Sequence, residues 1–393
     1  MHAPFQNGFA AGWLVWRRPE LYDRWRLVAR SSNRVSKLLI IKMMPAKWAC
    51  CDVHFVRGGR SIETRLGESA SPVRYLPSDQ MHFDDSEEKR TATDRETPSQ
   101  VSKETSASIR YCIITAVRDE EQFIAGTIDS VLAQTVRPLE WIIVDDGSKD
   151  RTATIIATCA QENPWIRLIR REDRGHRSKG GGVQGFLEAY SQIGPRNWDY
   201  LVNLDGDITF GADYFEKCFD QFRKMPSLGI GGGTVCAKIG GHWHAEPAPA
   251  FHVRGAAKIY RRECWDALGG LWPGLGWDTI DEVKANQLGW KTQTFPGIQL
   301  LHHRLSGKMW GAWGFAVLDG EADYTVRYLP LFFCLKCVRH IFYSPIVIRS
   351  IGMIYGYLRG FVRGTPRVAD REMVQYLHRQ QLRRLFGMSS IWR

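Results

Sequence analysis

The sequence lacks the cysteine patterns of disulfide-rich and zinc-binding proteins. Its nine cysteines are scattered along 393 residues, and the one CxxC pair, Cys334 with Cys337, has no second such pair to complete a four-cysteine zinc site. Cys50 and Cys51 are adjacent, a placement that does not favour a bridge between them. We therefore expect free thiols in a reducing compartment, and neither a disulfide framework nor a structural zinc site.

Long apolar runs are also missing. No uninterrupted run approaches the roughly 20 residues that a membrane-spanning helix needs. The N-terminal segment does not resemble a secretory signal, because Arg17 and Arg18 follow its short apolar stretch instead of preceding it. We expect a soluble or peripheral protein.

Acidic residues are outnumbered by basic ones. The chain has 53 Lys and Arg against 42 Asp and Glu, a formal net charge of +11 and a pI near 9.2. This excess predicts an anionic partner, and composition alone leaves three classes open: nucleic acid, an acidic membrane surface and a phosphorylated small molecule.

Composition divides the chain into three parts. Residues 67–107 are rich in Ser, Thr, Glu, Asp and Lys, and such a segment cannot bury enough apolar surface to offset its ordering entropy. We predict that residues 1–107 form a poorly ordered N-terminal extension. Residues 108–310 are predicted to fold as one domain, followed by a helical, basic C-terminal region at 311–393.

Strand and helix patterns alternate from Ile109 onward. Apolar runs predict buried strands at 109–117 and 139–148, and further strands are predicted at 165–171 and 199–207. Helical segments are predicted between them at 118–135, 150–163 and 180–193. This alternation predicts an α/β fold with a mostly parallel sheet and helices on its faces.

Two acidic clusters follow predicted strands. Asp145-Asp146 ends the second strand and Asp205-Gly206-Asp207 ends the fourth, so both are expected at the carboxyl edge of the sheet, where such folds bind ligands. Carboxylates brought together there repel each other, and a divalent cation relieves that repulsion. Hard oxygen ligands suit Mn²⁺ or Mg²⁺ bridging phosphate oxygens.

Three segments carry a family resemblance. ITAVRDEEQFIAGTIDSVLAQT, EWIIVDDGSKDRT and DYLVNLDGDITFGADYFEKC resemble the opening strand and helix, the VDDGS strand end and the DxD strand of family 2 glycosyltransferases with the GT-A fold. The resemblance covers about half of the chain, from Ile109 to Arg304. It implies an inverting nucleotide-diphospho-sugar transferase of the bacterial surface or exopolysaccharide type, with a Rossmann-like sheet.

The resemblance also implies a nucleotide-sugar site. Asp146, with Asp145 beside it, would contact the base, commonly uracil, and Asp205 and Asp207 would hold the metal at the diphosphate. The first strand ends in TAVRDEE, where the family more often has a proline followed by Asn-Glu. The nucleotide-sugar set is Thr115, Ala116, Arg118, Glu120, Asp145, Asp146, Asp205 and Gly206.

A basic loop precedes the third predicted helix. Arg174 and Lys179 stand in RGHRSKGGG, just before a glycine-rich helix start, which is a natural place for phosphate oxygens. The same residues are equally consistent with a basic loop that is exposed to solvent and binds nothing. The family has a similar segment near the diphosphate, which favours binding.

Transfer with inversion requires a base for the acceptor hydroxyl. The family's acidic motif falls on GLGWDTIDEVKANQLGW, where its aspartate matches Asp278 and Trp277 replaces the usual glutamate. Asp281, one helical turn later, is the rival candidate. Thr279 and Glu282 also form a capping-box pattern, so some of these acids could serve only to begin the helix.

Other candidates lie on either side of this helix. Arg254 and Gly255 resemble the family's acceptor-side segment, although a plain structural turn fits them equally well. His302 or His303 follows a strand aimed at the same edge, and His303 is taken as the third metal ligand.

The C-terminal region has the composition of interfacial helices. Apolar and aromatic residues dominate from Tyr328, interrupted by arginines and lysines and broken at Pro330 and Pro345. A helical cap packed on the domain is the alternative. The terminal QLRRL does not restore the QxxRW motif of processive synthases, so we expect transfer of single sugars.

Together these features predict a glycosyltransferase that moves a sugar, most simply from a UDP-sugar, to a lipid-linked or glycan acceptor. It is expected at the cytoplasmic face of the cell membrane, bound to anionic lipid through its C-terminal region, without a nucleic-acid partner. A sugar-nucleotide pyrophosphorylase is disfavoured, because TAVRDEEQF lacks a glycine-rich phosphate loop. A non-catalytic membrane- or nucleic-acid-binding relative would not need Asp205, Asp207 and Asp278 together.

Overall fold

The computed structural model describes residues 39–41, 53–57, 60–61, 109–173, 175, 181–304, 310–341 and 347–392. In the N-terminal part, β1 (Leu39–Ile41), β2 (Val53–Arg57) and β3 (Arg60–Ser61) pair antiparallel in a small sheet. The rest of residues 1–107 lies outside the described residues, so the poor order of that extension stays a prediction.

The main sheet has nine strands in the described part of the chain. They are β4 (Tyr111–Val117), β5 (Glu140–Asp145), β6 (Ile166–Arg170), β7 (Tyr200–Leu204), β8 (Ile208–Phe210), β9 (Leu228–Ile239), β10 (His242–Ala245), β11 (Ala257–Arg261) and β12 (Lys291–His302). Their order is β6-β5-β4-β7-β11-β9-β12-β8, with β10 paired to β9.

Strand direction makes the sheet mixed. β4, β5, β6, β7, β9 and β12 run in one direction, whereas β8, β10 and β11 run in the other. The predicted α/β class and mostly parallel sheet are confirmed. The reversed strands all come after the fourth predicted strand.

Helices cover both faces of this sheet. The domain helices are α1 (Ile124–Leu132), α2 (Thr152–Glu162), α3 (Gly181–Ser191), α4 (Tyr214–Lys224), α5 (Arg262–Leu268) and α6 (Trp277–Gln287). One face buries Ile128, Ile156 and Phe219 from α1, α2 and α4, and the other buries Phe186 and Trp265 from α3 and α5. Successive β4 residues enter the two cores alternately, and burial on both faces explains the continuous apolar runs of these strands.

Four more helices follow the domain: α7 (Gly311–Val326), α8 (Pro330–His340), α9 (Ile348–Val362) and α10 (Arg371–Leu385). They bury a third apolar core against α6, which includes Val283 of α6 together with Phe333, Met353 and Leu377. Pro330 begins α8, as its position suggested, and Pro345 lies outside the described residues. The C-terminal region therefore packs on the domain through one face, as expected if it forms a helical cap.

No helix among the described residues has the length and apolar character to cross a membrane. Every cysteine in the described region is a free thiol, as the scattered spacing predicted.

Candidate active site

Both acidic clusters lie at one edge of the sheet. Val117 at the end of β4 is opposite Asp145 at the end of β5, and β7, the other neighbour of β4, ends at Leu204 just before Asp205. With strands about 4.8 Å apart, one intervening strand separates the clusters by roughly 10 Å. The predicted meeting of the two clusters at this edge is found.

Asp205, Asp207 and His302 form a potential metal site. One ligand atom from each lies within 4.8 Å of the others. His302 ends β12, which pairs antiparallel with β8, and its Nε2 lies 3.3 Å from Oδ1 of Asp207. Burial and the Asp207 carboxylate raise the pKa of Asp205 to about 6. Two crowded carboxylates beside an imidazole are a donor set that fits Mn²⁺ or Mg²⁺.

The third member of this set is His302, not His303. His303 Nε2 lies 2.8 Å from Oγ1 of Thr209, and its ring stacks on Phe123 with centroids 6.0 Å apart. Successive side chains of an extended chain point to opposite sides, so two adjacent histidines do not face one site. The assignment of His303 as a metal ligand is corrected accordingly.

Gly206 between the two aspartates is required by close packing. A Cβ at this position would lie 2.5 Å from Cγ1 of Val117. Real Cβ atoms do not approach that closely, so a larger residue would push the acidic turn away from β4. The glycine thus fixes the distance between Asp205 and the end of the first domain strand.

Arg304 connects the metal site to Glu120, a contact that sequence reasoning missed. Its guanidinium pairs with the Glu120 carboxylate, and its Nε lies 3.8 Å from Oδ2 of Asp207. The Glu120 backbone N–H donates to Oγ1 of Thr152 at 2.8 Å. The only sequence signal for Arg304 was its place directly after His302 and His303.

The proposed base-binding aspartates have different environments. Asp145 is fully buried, and its Oδ1 accepts from the Ser148 N–H at 3.0 Å, which closes the turn. Oδ1 of Asp146 lies 3.0 Å from Nη1 of Arg171, and Arg118 donates to the Asp146 carbonyl at 2.9 Å. Arg118 also pairs with Asp173 at 2.7 Å. These contacts hold Asp146 at the rim beyond β5.

Not every residue assigned to the nucleotide site has a side chain there. Thr115 is fully buried, and its Oγ1 accepts from Nε1 of Trp141 at 2.9 Å, so its side chain belongs to the core. Ala116 is half-buried against Gly185 of α3. Arg174 and Lys179 lie outside the described residues.

The two candidate bases have opposite environments. Asp278 is half-buried in the first turn of α6 and lines a cavity of about 520 Å³. Asp281 is buried: Nζ of Lys258 lies 3.1 Å from its Oδ2, and the Tyr260 hydroxyl donates to the same oxygen at 2.6 Å. Burial raises the pKa of Asp281 to about 7. Its carboxylate is enclosed by these contacts, so Asp278 is the candidate base that faces the cavity.

The capping-box reading of this segment is wrong. Helix α6 begins at Trp277, two residues before Thr279. Glu282 is buried, accepts from the Val253 N–H at 2.7 Å, and pairs with Lys258 at 2.9 Å. These acids hold α6 against the sheet.

Arg254 and Gly255 lie between the metal site and α6. Arg254 lines the same cavity as Asp278 and pairs with Glu246 at 3.1 Å. The Gly255 carbonyl accepts from Asn203 of β7, and a Cβ on Gly255 would lie 3.2 Å from the Trp277 ring. Gly255 thus has a packing role, and Arg254 faces the cavity.

Comparison with known families agrees with the sequence resemblance. Residues 112–272 match the family described as Glycosyl transferase family 2, and this span contains both acidic clusters. The chain contains a family 2 glycosyltransferase domain. The match ends before α6, so Asp278 and the four C-terminal helices lie beyond it.

The glycosyltransferase domain is similar to a part of each of several curated enzymes. It is 31% identical over 107 residues to a chondroitin synthase of Escherichia coli, covering 27% of this chain and 14% of that protein. It is 31% identical over 115 residues to a poly-beta-1,6-N-acetyl-D-glucosamine synthase of Staphylococcus aureus strain COL, covering 29% and 26%. The matched part is thus about a quarter or less of each relative.

Solved structures also resemble the glycosyltransferase domain. The mannosyltransferase PcManGT from Pyrobaculum calidifontis, in complex with GDP-Man and Mn²⁺, matches 72% of this chain and 77% of its own at 15% identity and a TM-score of 0.44. GalNAc-T7 with UDP, GalNAc and Mn²⁺ matches 73% and 56% at 13% identity and a TM-score of 0.46. At these sequence identities and TM-scores, the structural similarity does not assign a function to this chain.

Proposed function

We propose that this protein transfers a sugar, with inversion, from a nucleotide-diphosphate donor to a lipid-linked or glycan acceptor in polysaccharide or cell-envelope synthesis. The observation that carries the proposal is the Asp205, Asp207 and His302 cluster, whose two aspartates belong to the family 2 segment. The names of the curated relatives, which include chondroitin and poly-N-acetylglucosamine synthases, support a glycan product. UDP is the proposed donor nucleotide.

In the proposed mechanism, one group of residues binds the nucleotide-sugar donor and another residue activates the acceptor hydroxyl. A divalent ion held by Asp205, Asp207 and His302 would supply positive charge for the diphosphate leaving group. Asp146 binds the base at the rim beyond β5. Asp278 accepts the proton of the acceptor hydroxyl as that oxygen attacks the anomeric carbon.

Hydrolysis of donor sugars tests this function without knowledge of the acceptor. Purified protein is incubated with UDP- and GDP-sugars and Mn²⁺, and the released nucleotide is measured. We expect release from one donor, abolished by Asp205→Asn and lowered by Asp278→Asn, because the water that replaces the acceptor must also lose a proton as it attacks. Absence of release from every donor, together with absence of binding, would count against the proposal.

We further propose peripheral attachment of this enzyme to the cytoplasmic face of an anionic membrane. The outward faces of α8 and α9 are apolar, and arginines stand at their ends, at Arg339 in α8 and Arg363 after α9. An apolar helix face with a basic margin fits the boundary between headgroups and acyl chains. The exposed apolar residues are Leu331, Leu335, Val338, Ile348, Ile351, Ile354, Tyr355, Leu358, Phe361 and Val362.

Vesicle sedimentation checks the attachment. Wild type should pellet with vesicles of phosphatidylglycerol and phosphatidylcholine, and a Leu358→Glu, Phe361→Glu variant should stay in the supernatant. Leu288→Glu changes an exposed leucine at the end of α6 and should pellet like wild type. Wild-type protein that remains soluble at low salt would contradict the attachment.

A further inference from the structure

The cavity beside Asp278 has walls from two parts of the chain. Phe251 and Arg254 come from the family 2 segment, whereas Asp278 and residues of α7, α8 and α9 come from beyond it. Its volume of about 520 Å³ lies within the range of small-molecule sites, about 300–1,000 Å³. The C-terminal helices therefore help to form a pocket that contains the candidate base.

Aromatic rings dominate the apolar part of this wall. Their faces can pack against the C–H face of a sugar ring, since aromatic side chains offer large contact area with little loss of side-chain entropy. The rings are Phe251, Trp277, Trp310, Phe315, Tyr328 and Trp392.

The polar part of the wall is electrically balanced. Lys336 of α8 lies 2.8 Å from Asp323 and 3.5 Å from Asp319, both on α7. Arg349 of α9 lies 3.6 Å from Asp319. Carboxylates and cations that already neutralise each other leave no excess charge for an ionic ligand, but they offer fixed acceptors and donors for hydroxyl groups.

Two arginines retain unused donors at this cavity. Nε of Arg254 and Nε of Arg349 are buried and have no hydrogen-bond partner among the described residues. A buried donor without a partner is costly, and a bound hydroxyl would satisfy it. Both groups belong to residues that line the pocket.

A chain of ionic contacts links this cavity to the metal site. Arg254 pairs with Glu246 at 3.1 Å, and Glu246 lies 4.0 Å from Nδ1 of His302. The other nitrogen of His302 lies 3.3 Å from Asp207. The cavity is therefore next to the proposed donor site, with Asp278 in its wall.

We propose that this cavity is the acceptor site, that it takes an uncharged sugar ring of a glycan, and that α7, α8 and α9 select which sugar is accepted. This inference rests on the proposed function. The C-terminal helices are then substrate-recognition elements of the enzyme as well as a packed cap.

A matched pair of tryptophans on one helix tests the assignment. Trp310 lines the cavity at the start of α7 and is 39% exposed, whereas Trp313 is 46% exposed, packs on Tyr355 and does not line it. Saturation-transfer NMR is recorded with the methyl β-glycosides of glucose, galactose, N-acetylglucosamine and glucuronic acid, in the presence of UDP and Mg²⁺. At least one neutral glycoside should bind wild type and Trp313→Ala, and bind Trp310→Ala about tenfold more weakly.

An Arg349→Lys variant adds a second test, because it keeps the positive charge near Asp319 but removes the buried Nε donor. Weaker glycoside binding is expected, with UDP affinity unchanged. UDP titration of the same samples separates the two proposals. If UDP binds and no neutral glycoside does, or if Trp310→Ala binds like wild type, the acceptor assignment is wrong. If a glycoside binds and no nucleotide does, the donor function is wrong.

Discussion

At the scale of single residues, Lys258 decides where Asp278 lies. Its fully buried ammonium donates to the Asp278 carbonyl at 2.8 Å and pairs with Asp281 and Glu282 at 3.1 and 2.9 Å. It also lies 5.3 Å from the centre of the Trp277 ring. One buried cation thus holds the first turn of α6, and with it the candidate base.

Replacing Lys258 should destabilise the fold strongly. Lys258→Met leaves two buried carboxylates without their cation, and breaking such a group costs about 3–5 kcal/mol in the free energy of unfolding. Chemical denaturation measures the loss. Lys284→Met is the control, because Lys284 is half-buried and 3.5 Å from Asp370, a pair worth about 1 kcal/mol or less. Equal losses in the two variants would contradict this role.

His252 adds a pH dependence to the same cluster. Burial disfavours its charged form, but Glu282, at 2.8 Å, outweighs that effect and raises the pKa of His252; Asp278 adds to the rise and Lys258 opposes it. Because the unfolded value is about 6.5, this stabilisation is complete below that pH and is lost as the pH rises through the folded-state pKa.

The unfolding free energy of wild type should therefore exceed that of His252→Gln most at pH 6, and the difference should shrink as the pH rises above neutrality. Denaturant titrations across pH 6 to 9 measure it. His244→Gln, which changes an exposed histidine on β10, is the matched control. A His252→Gln difference that stays constant over this range would contradict the pairing.

At the scale of elements, α7 and α9 touch backbone to backbone. A Cβ on Gly356 would lie 2.0 Å from the Val317 carbonyl oxygen, and one on Gly320 would lie 1.9 Å from that of Met353. Gly352, Gly356 and Gly360 recur every four residues, which places them on one face of α9. Larger residues on this face would separate the helices that line the cavity.

Gly356→Ala should consequently lower the free energy of unfolding by about 1–3 kcal/mol, the usual cost of overpacking. Gly182→Ala in α3 is the matched control, since a Cβ there meets nothing within 4 Å and alanine favours a helix by about 1 kcal/mol. Thermal unfolding distinguishes the two. A stabilised Gly356→Ala variant would contradict the close packing.

The packing around each strand explains which strands could be predicted from the sequence. β4, β5 and β7 follow from apolar runs, because both of their faces are covered. β9 does not, since GIGGG reads as a turn-forming segment. In the fold these glycines accommodate bulky neighbours: a Cβ on Gly231 would lie 2.5 Å from the Phe295 ring, and one on Gly233 would lie 2.7 Å from the Tyr214 ring. Those contacts are long-range and leave no local signal.

At the scale of the whole molecule, the candidate site combines distant segments. Sequence patterns found Asp205 and Asp207, because both follow a recognisable strand. They did not separate His302 from His303, since that choice depends on the register of β12 against β8. Nor did they separate Asp278 from Asp281, because the difference is burial against Lys258. The cavity proposed for the acceptor could not be predicted from the sequence, because its wall forms only when α7, α8 and α9 pack on the domain.

The most direct test of the account is calorimetric titration of UDP into the protein with and without Mn²⁺, using adjacent histidines as the variant and its control. We predict Mn²⁺-dependent binding that is weakened at least tenfold in His302→Ala and in Asp205→Asn, but retained in His303→Ala. Binding that does not depend on the metal, or that His303→Ala loses while His302→Ala keeps it, would contradict the metal site on which the proposed function rests.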